Sequence, residues 1–438
     1  MSSTQSTAAA PNRCDVVEDS TDKPKPLSLS QFVSSLAPQQ EFERTASYAA
    51  SPKHYLEKTL GPSTFSQRQH LLSLPDKIDK DIYGTGVHKT HFQQHIASLL
   101  GKEHGLFFLT GVQAQLAGVK AHCDFAGRNR VAWHGTSHLE TAEEKAYQAL
   151  YGLERVLLGS REDANPSVEE VRDVLALPEA QRPSVVVLEI PNRVLGCQTY
   201  SFPELEAISA ACTEAGVRLH CDGARIWEIE PWYQRSAGKT FADLGRLFDS
   251  VYVSFYKGLR GVAGAALVCD DEGVMAEAKK WQRRAGGNAF TLVYEVVDCE
   301  RGFNENVGTF AGKWDKMVEV VEGIKEATKG FEAGDGRPVG YTADELVAAR
   351  DRAAERMGAR VFERLWPKKS LDEQSEKERL ALVAKGESDP QADGKAVEDD
   401  RREIVEWMIV SALLEVKTQV FVDAYVALCE ELVAGAKQ

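Results

Sequence analysis

The sequence predicts an α/β fold: a mostly parallel central sheet with helices on both faces, followed by a smaller C-terminal α/β or mainly helical domain. Three observations predict it. Short apolar runs alternate with helix-periodic segments from about residue 80 to about 300. One run, SVVVLEI at 184–190, is apolar almost throughout, as in a strand covered on both faces. Beyond about residue 300 the alternation stops and longer helical patterns take over.

Residues 1–40 are rich in Ser, Thr, Ala, Pro and charge and read as a mobile arm. Residues 41–305 read as the large domain. In it, DIYGTGVHKTHFQQHIASLLGKEH is a loop and then a helix, with Phe92, Ile96, Leu99 and Leu100 at helical spacing. GLFFL (105–109) is a strand, and a helix starts near Val112. RVAW (130–133), ERVLLG (154–159) and VRLHC (217–221) are further strands. PELEAISAACTEAG is a helix stopped by Gly216. In VYVSFYKGLRGVAGAALV (251–268), Val251, Val253 and Phe255 alternate with Tyr252, Ser254 and Tyr256. That strand ends at Lys257, and a glycine-rich turn leads into another strand.

Residues 306–438 read as the small domain. There 309–332 is helical, and 345–366 reads as one helix with Leu346, Ala349, Ala353, Met357 and Val361 near one face. The charged stretch 368–402 reads as a surface insertion. REIVEWMIVSALLEV supplies a strand or two, and FVDAYVALCEELVAG a closing amphipathic helix.

Bulk properties exclude several classes. The 438 residues carry a formal net charge of −14, against the basic footprint of general nucleic-acid binding. No apolar run is long enough to span a bilayer. The first residues lack an apolar signal core. The eight cysteines are scattered, with no CxxC pair and no zinc spacing, so they read as reduced thiols of a cytoplasmic protein without a metal site.

Four loops fall at strand ends, where open α/β sheets bind ligands. TGVQAQ (110–115) puts a glycine at a strand-to-helix turn, where backbone N–H groups can meet a phosphate. WHGTSHLE (133–140) brings histidines that can stack on a planar ring or transfer protons. HCDGARIWE (220–228) ends an apolar strand on Asp222, a carboxylate that needs a cation beside it. A turn ion pair with Arg225 is one reading; holding a protonated pyridine nitrogen is the other. The fourth loop carries Lys257. A strand-end lysine and a strand-end carboxylate together suit pyridoxal 5′-phosphate, which needs an amine for a Schiff base and an acid for its ring nitrogen.

DIYG (81–84), LLGKEHGLFFLTGVQAQ (99–115), HCDGARIWE and SFYKGLRGVAGAALV resemble the L-threonine aldolase branch of the β-eliminating lyases, in fold type I of the pyridoxal phosphate enzymes. The resemblance runs from about 81 to 300. It implies Lys257 as the Schiff-base lysine and Asp222 beside the pyridine nitrogen. It places Arg225 near the phenolic oxygen, Gly111 and Val112 at the phosphate, and Ser254 among the cofactor residues. His138 takes the ring-stacking, proton-transferring position, and Tyr83 faces the site at a subunit interface. A homodimer or homotetramer acting on a small amino acid follows from the same resemblance.

The departures concern the substrate. The family's R-S-D-T opening is missing, its E-N-T-H-N segment reads EIPNRVLGCQ (189–198), and Asn288, Ala289 and Phe290 replace an R-Q pair after WQRRAGG. The arginine that grips the substrate carboxylate has no clear counterpart. Arg193 is the candidate replacement, or else a surface arginine. Cleavage of the Cα–Cβ bond of a β-hydroxy-α-amino acid to glycine and an aldehyde is the expected reaction, with His138 as base and Glu143 as a second candidate. The alternatives are β-elimination, decarboxylation or a biosynthetic condensation on the same cofactor, or a non-catalytic homologue.

Overall fold

A seven-stranded sheet sets the architecture of the computed structural model, which describes residues 27–29, 36–161, 164–329, 343–362, 365–366, 404–405, 414 and 416–435. In chain order its strands are β1 (His104–Phe108), β2 (Arg130–His134), β3 (Glu154–Leu158), β4 (Val185–Glu189), β5 (Arg218–Gly223), β6 (Ser250–Ser254) and β7 (Ala265–Cys269). Their spatial order is β1-β7-β6-β5-β4-β2-β3. Pairs from β6 to β3 are parallel, and β7 runs antiparallel to both neighbours. The strands are largely apolar runs of the sequence, and all but the edge strand β3 are mostly buried.

The alternation around Lys257 is real. Val251, Val253 and Phe255 enter a core with Phe92, Phe107 and Trp227, whereas Tyr252 faces a separate cluster with Ala114, Ala117 and Leu267. Helix Val87–Leu99 covers the first face and helix Gly111–Ala126 the second. Helix Phe202–Ala215 opens on Ser201, whose hydroxyl accepts from Glu204 N while Glu204 accepts from Ser201 N, and it ends at left-handed Gly216.

A separate apolar cluster gathers helices Phe310–Ala327, Ala343–Met357 and Thr418–Gly435. Two expectations are corrected here. The helix expected over 345–366 ends at Met357, because Gly358 adopts φ 66°, and Ala359–Arg360 is extended. Part of the expected mobile arm is also ordered: Leu27–Ser28 pairs in parallel with Ala359–Arg360, and Leu29 is buried in this cluster. In the expected strand region near 402–416, Ile404–Val405 pairs with Leu365–Trp366. The charged stretch 368–402 lies outside the described residues.

Four helices absent from the sequence reading precede the sheet: Pro38–Ala50, Pro52–Leu60, Pro62–Gln67 and Gln69–Leu72. They pack through Tyr48, Leu56 and Leu71 against Val293 and Val297 of helix Val293–Asn306.

Candidate active site

The carboxyl ends of β4, β5 and β6 deliver three charged side chains to one place. Glu189 ends β4, Asp222 lies near the end of β5, and Lys257 follows β6. Parallel pairing in register sets Glu189 opposite Asp222. Burial, and then the nearby Asp222 charge, push the Glu189 carboxyl up to about 7.

The turn after Asp222 and the loop around Lys257 are bound to each other. Asp222 Oδ1 accepts from Ala224 N at 3.1 Å, and Ser254 Oγ donates to Ala224 O at 2.7 Å. Trp227 Nε1 donates to Ser254 O at 2.9 Å. Glu228 accepts from Arg225 at 3.2 Å and from Gly258 N at 3.2 Å. Arg225, read from the sequence as a turn ion-pair partner for Asp222, pairs with Glu228. Burial first, and then Arg225, hold the Lys257 ammonium below its ordinary pKa, with Asp222 opposing. A lysine in this state has more neutral amine available for nucleophilic attack near neutral pH.

His138 opens the short helix His138–Thr141 after β2. Its backbone N–H donates to Glu189 Oε2 at 2.9 Å, and its Nδ1 lies 2.8 Å from Glu143 Oε1. That hydrogen bond raises the histidine's pKa, and burial raises that of Glu143. Glu143 Oε2 is buried with no hydrogen-bond partner among the described residues. His134, the other histidine of this loop, contacts Thr136 Oγ1 and Arg161 O, each at 2.7 Å. The loop after β4 holds half-buried Arg193, whose N–H donates to Glu189 Oε1 at 3.3 Å.

At the second face, helix Gly111–Ala126 points its N-terminus along the same edge of the sheet. Thr110 Oγ1 caps it by accepting from Gln113 N at 3.4 Å. Gly111 is forced: a Cβ there would sit 1.9 Å from Tyr252 Oη. Tyr83 adopts φ 47°, donates its N–H to Phe290 O at 2.8 Å and meets the Phe290 ring edge-on at 5.4 Å. Both rings are exposed.

Glu189 is the functional candidate missing from the sequence reading. The signal was present, because it is a carboxylate closing an apolar strand, the same pattern that singled out Asp222. Among the described residues, no helix is long and apolar enough to cross a membrane, and no group of His, Cys, Asp or Glu is placed to hold a metal.

The chain matches the Beta-eliminating lyase family over residues 73–329, more than half its length. It is 25% identical over 254 residues to low-specificity L-threonine aldolase 1 of Arabidopsis thaliana, covering 57% of this chain and 69% of that one. The low specificity L-threonine aldolase of Saccharomyces cerevisiae is 25% identical over 256 residues, 56% of this chain and 62% of that one. Among solved structures, a Listeria monocytogenes protein proposed to be an L-allo-threonine aldolase superposes with a TM-score of 0.68 at 27% identity, covering 93% of this chain and 97% of that one.

The residues present fit pyridoxal phosphate. A helix N-terminus whose glycine leaves no room for a Cβ would suit the phosphate, Asp222 would suit a protonated ring nitrogen, and Lys257 would supply the amine. Fold, site chemistry and sequence agree: the chain belongs to the beta-eliminating lyase family of pyridoxal-phosphate-dependent lyases.

Proposed function

We propose that the protein cleaves the Cα–Cβ bond of a β-hydroxy-α-amino acid, releasing glycine and an aldehyde. The His138–Glu143 pair carries this reading, because bond cleavage needs a base for the β-hydroxyl proton and this imidazole is oriented by a buried carboxylate. The similarity to threonine aldolases supports it. Pyridoxal phosphate, when bound, supplies the electron sink that weakens bonds to Cα. Asp222 would keep a proton on the ring nitrogen. Gly111 and Val112 would offer N–H groups to the phosphate and Arg225 would serve the phenolic oxygen, while Ser254 ties the two loops together. Lys257 would be the point of covalent attachment, and Arg193 would take the substrate carboxylate so that the bond to be broken is correctly aligned. Glu143 keeps the His138 ring turned toward the hydroxyl.

The reading includes a homo-oligomer in which Tyr83, beside Phe290, faces a second copy of the chain; their exposed rings support this. The cofactor-loaded protein is to be given a panel of β-hydroxy-α-amino acids with product analysis. Glycine and aldehyde in equal amounts support the proposal. Formation of a 2-oxo acid and ammonia, or of carbon dioxide, would replace it with β-elimination or decarboxylation.

A further inference from the structure

One side of helix Val293–Asn306 holds the loop that follows Lys257. Asp298 Oδ2 accepts from Val262 N at 2.8 Å, Cys299 Sγ donates to Ala263 O at 2.8 Å, and Asn306 Nδ2 donates to Leu259 O at 3.1 Å. Gly302 lets the two backbones meet, since a Cβ there would lie 2.6 Å from Leu259 O. Three side chains of one helix thus fix the backbone over five residues, starting two positions beyond the lysine.

The same helix is gripped by the N-terminal helices. Thr45 Oγ1 donates to Asp298 Oδ1 at 2.6 Å, and Arg301 Nη2 donates to that oxygen at 2.7 Å. Arg301 Nη1 reaches Glu305 Oε2 at 2.9 Å, and Arg44 Nη2 reaches the same oxygen at 2.7 Å. Tyr48 Oη donates to Glu300 Oε2 at 2.7 Å. Asp298, Glu300 and Arg301 are all buried. A buried ion network is weak evidence for stability, because apolar residues of like volume often do as well. What this one provides is fixed geometry. Asp298 spends one oxygen on the N-terminal helix and on Arg301, and the other on the lysine loop. The family match begins at residue 73, so Thr45 and Arg44 come from outside it.

We propose that helix Pro38–Ala50 braces the cofactor lysine. Thr45 and Arg301 orient Asp298, Arg44 anchors Arg301 through Glu305, and Asp298 fixes Val262 and with it the backbone that carries Lys257. Asp298 is a positioning residue and touches no cofactor or substrate. The inference rests on the reading of Lys257 as the covalent attachment site.

The test is Asp298→Asn in the full-length, cofactor-loaded protein. The amide keeps the shape and keeps its oxygen toward Thr45 and Arg301, which turns its NH2 toward the Val262 N–H. Val262 has an exposed side chain. Its amide donates to Asp298, and loss of that bond should accelerate hydrogen exchange at that amide by about tenfold or more. The pH midpoint of the bound cofactor's visible band should shift, and cofactor loss should quicken by about tenfold. Unchanged exchange at Val262 overturns the proposal. Faster exchange with an unaltered band and unaltered cofactor retention overturns it too, leaving Asp298 a structural residue only. If the variant does not fold, Thr45→Val read by the same measurements decides. A wild-type band that disappears in Lys257→Ala secures the lysine separately, so that a silent Asp298→Asn then counts against the brace alone.

Discussion

His138 Nδ1 and Glu143 Oε1 lie 2.8 Å apart, with the carboxylate buried and the imidazole partly open to the site. The pair raises the histidine's pKa. If neutral His138 is the base, activity falls as pH drops through that raised value. Glu143→Gln removes the cause, so the acid limb of kcat should move to lower pH. The plateau should fall by about tenfold to a hundredfold as the ring loses its orientation. A pH–rate profile of both proteins measures this. An unmoved limb would take His138 out of the base role.

Lys257→Ala should abolish the visible band of bound cofactor and reduce turnover by several orders of magnitude, since the covalent attachment point is gone. Asp222→Asn should keep the band and still lower turnover by at least about a hundredfold, because a neutral amide cannot hold the ring nitrogen's proton. Absorbance spectra paired with product assays separate the two roles.

Gly111→Ala places a Cβ 1.9 Å from Tyr252 Oη. Relief requires the helix terminus or the tyrosine to shift, at a cost of about 1–3 kcal/mol. Cofactor affinity should fall with it, because the N–H groups of that terminus move. Tyr252→Phe in the same chain removes the hydroxyl and should recover part of both losses. Thermal melts of the cofactor-free protein and titrations with pyridoxal phosphate give the two readings.

Acid should destabilise the fold through its buried histidines. His122 Nε2 and His220 Nδ1 contact Ser250 Oγ at 2.8 and 2.7 Å, all buried within the sheet and its covering helix. Burial lowers His122 to about 4 and His220 to about 3, and lowers His95 to about 4. The unfolded chain takes up these protons near pH 6.5, and the folded chain does so only below about 4. Stability should therefore drop as pH falls from about 6.5, by about 1.4 kcal/mol per pH unit for each ring. Replacing His122 by Gln should make that slope shallower by one ring's share. Denaturant melts at several pH values measure it.

Most strands of the sheet were legible because each is a short, largely apolar run that burial keeps so, although the edge strand β3 is half exposed. Asp222 and Lys257 were legible for the complementary reason, as charges at the ends of such runs. Glu189 obeys the same rule and was passed over inside a segment that departs from the family pattern. The helix expected to reach 366 misled because Leu346, Ala349, Ala353, Met357 and Val361 keep helical spacing straight through Gly358. The buried stripe is real as far as Ala353; Met357 is exposed, and Val361 joins the same cluster from just beyond the extended pair Ala359–Arg360. Pairings such as Thr45 with Asp298, or Leu27 with Ala359, join residues hundreds of positions apart and leave no local pattern to read.

The burial of Leu29 beside Phe421 and Leu432 also bears on how the chain is made. Synthesis proceeds from the amino end, and domains tend to fold as they emerge. Every strand of the large sheet is available once Cys269 has left the ribosome. The apolar cluster around Leu29 has no such early completion, because its last wall is helix Thr418–Gly435. The sheet can thus assemble on the nascent protein while Leu29 still lacks helix Thr418–Gly435 to shield it.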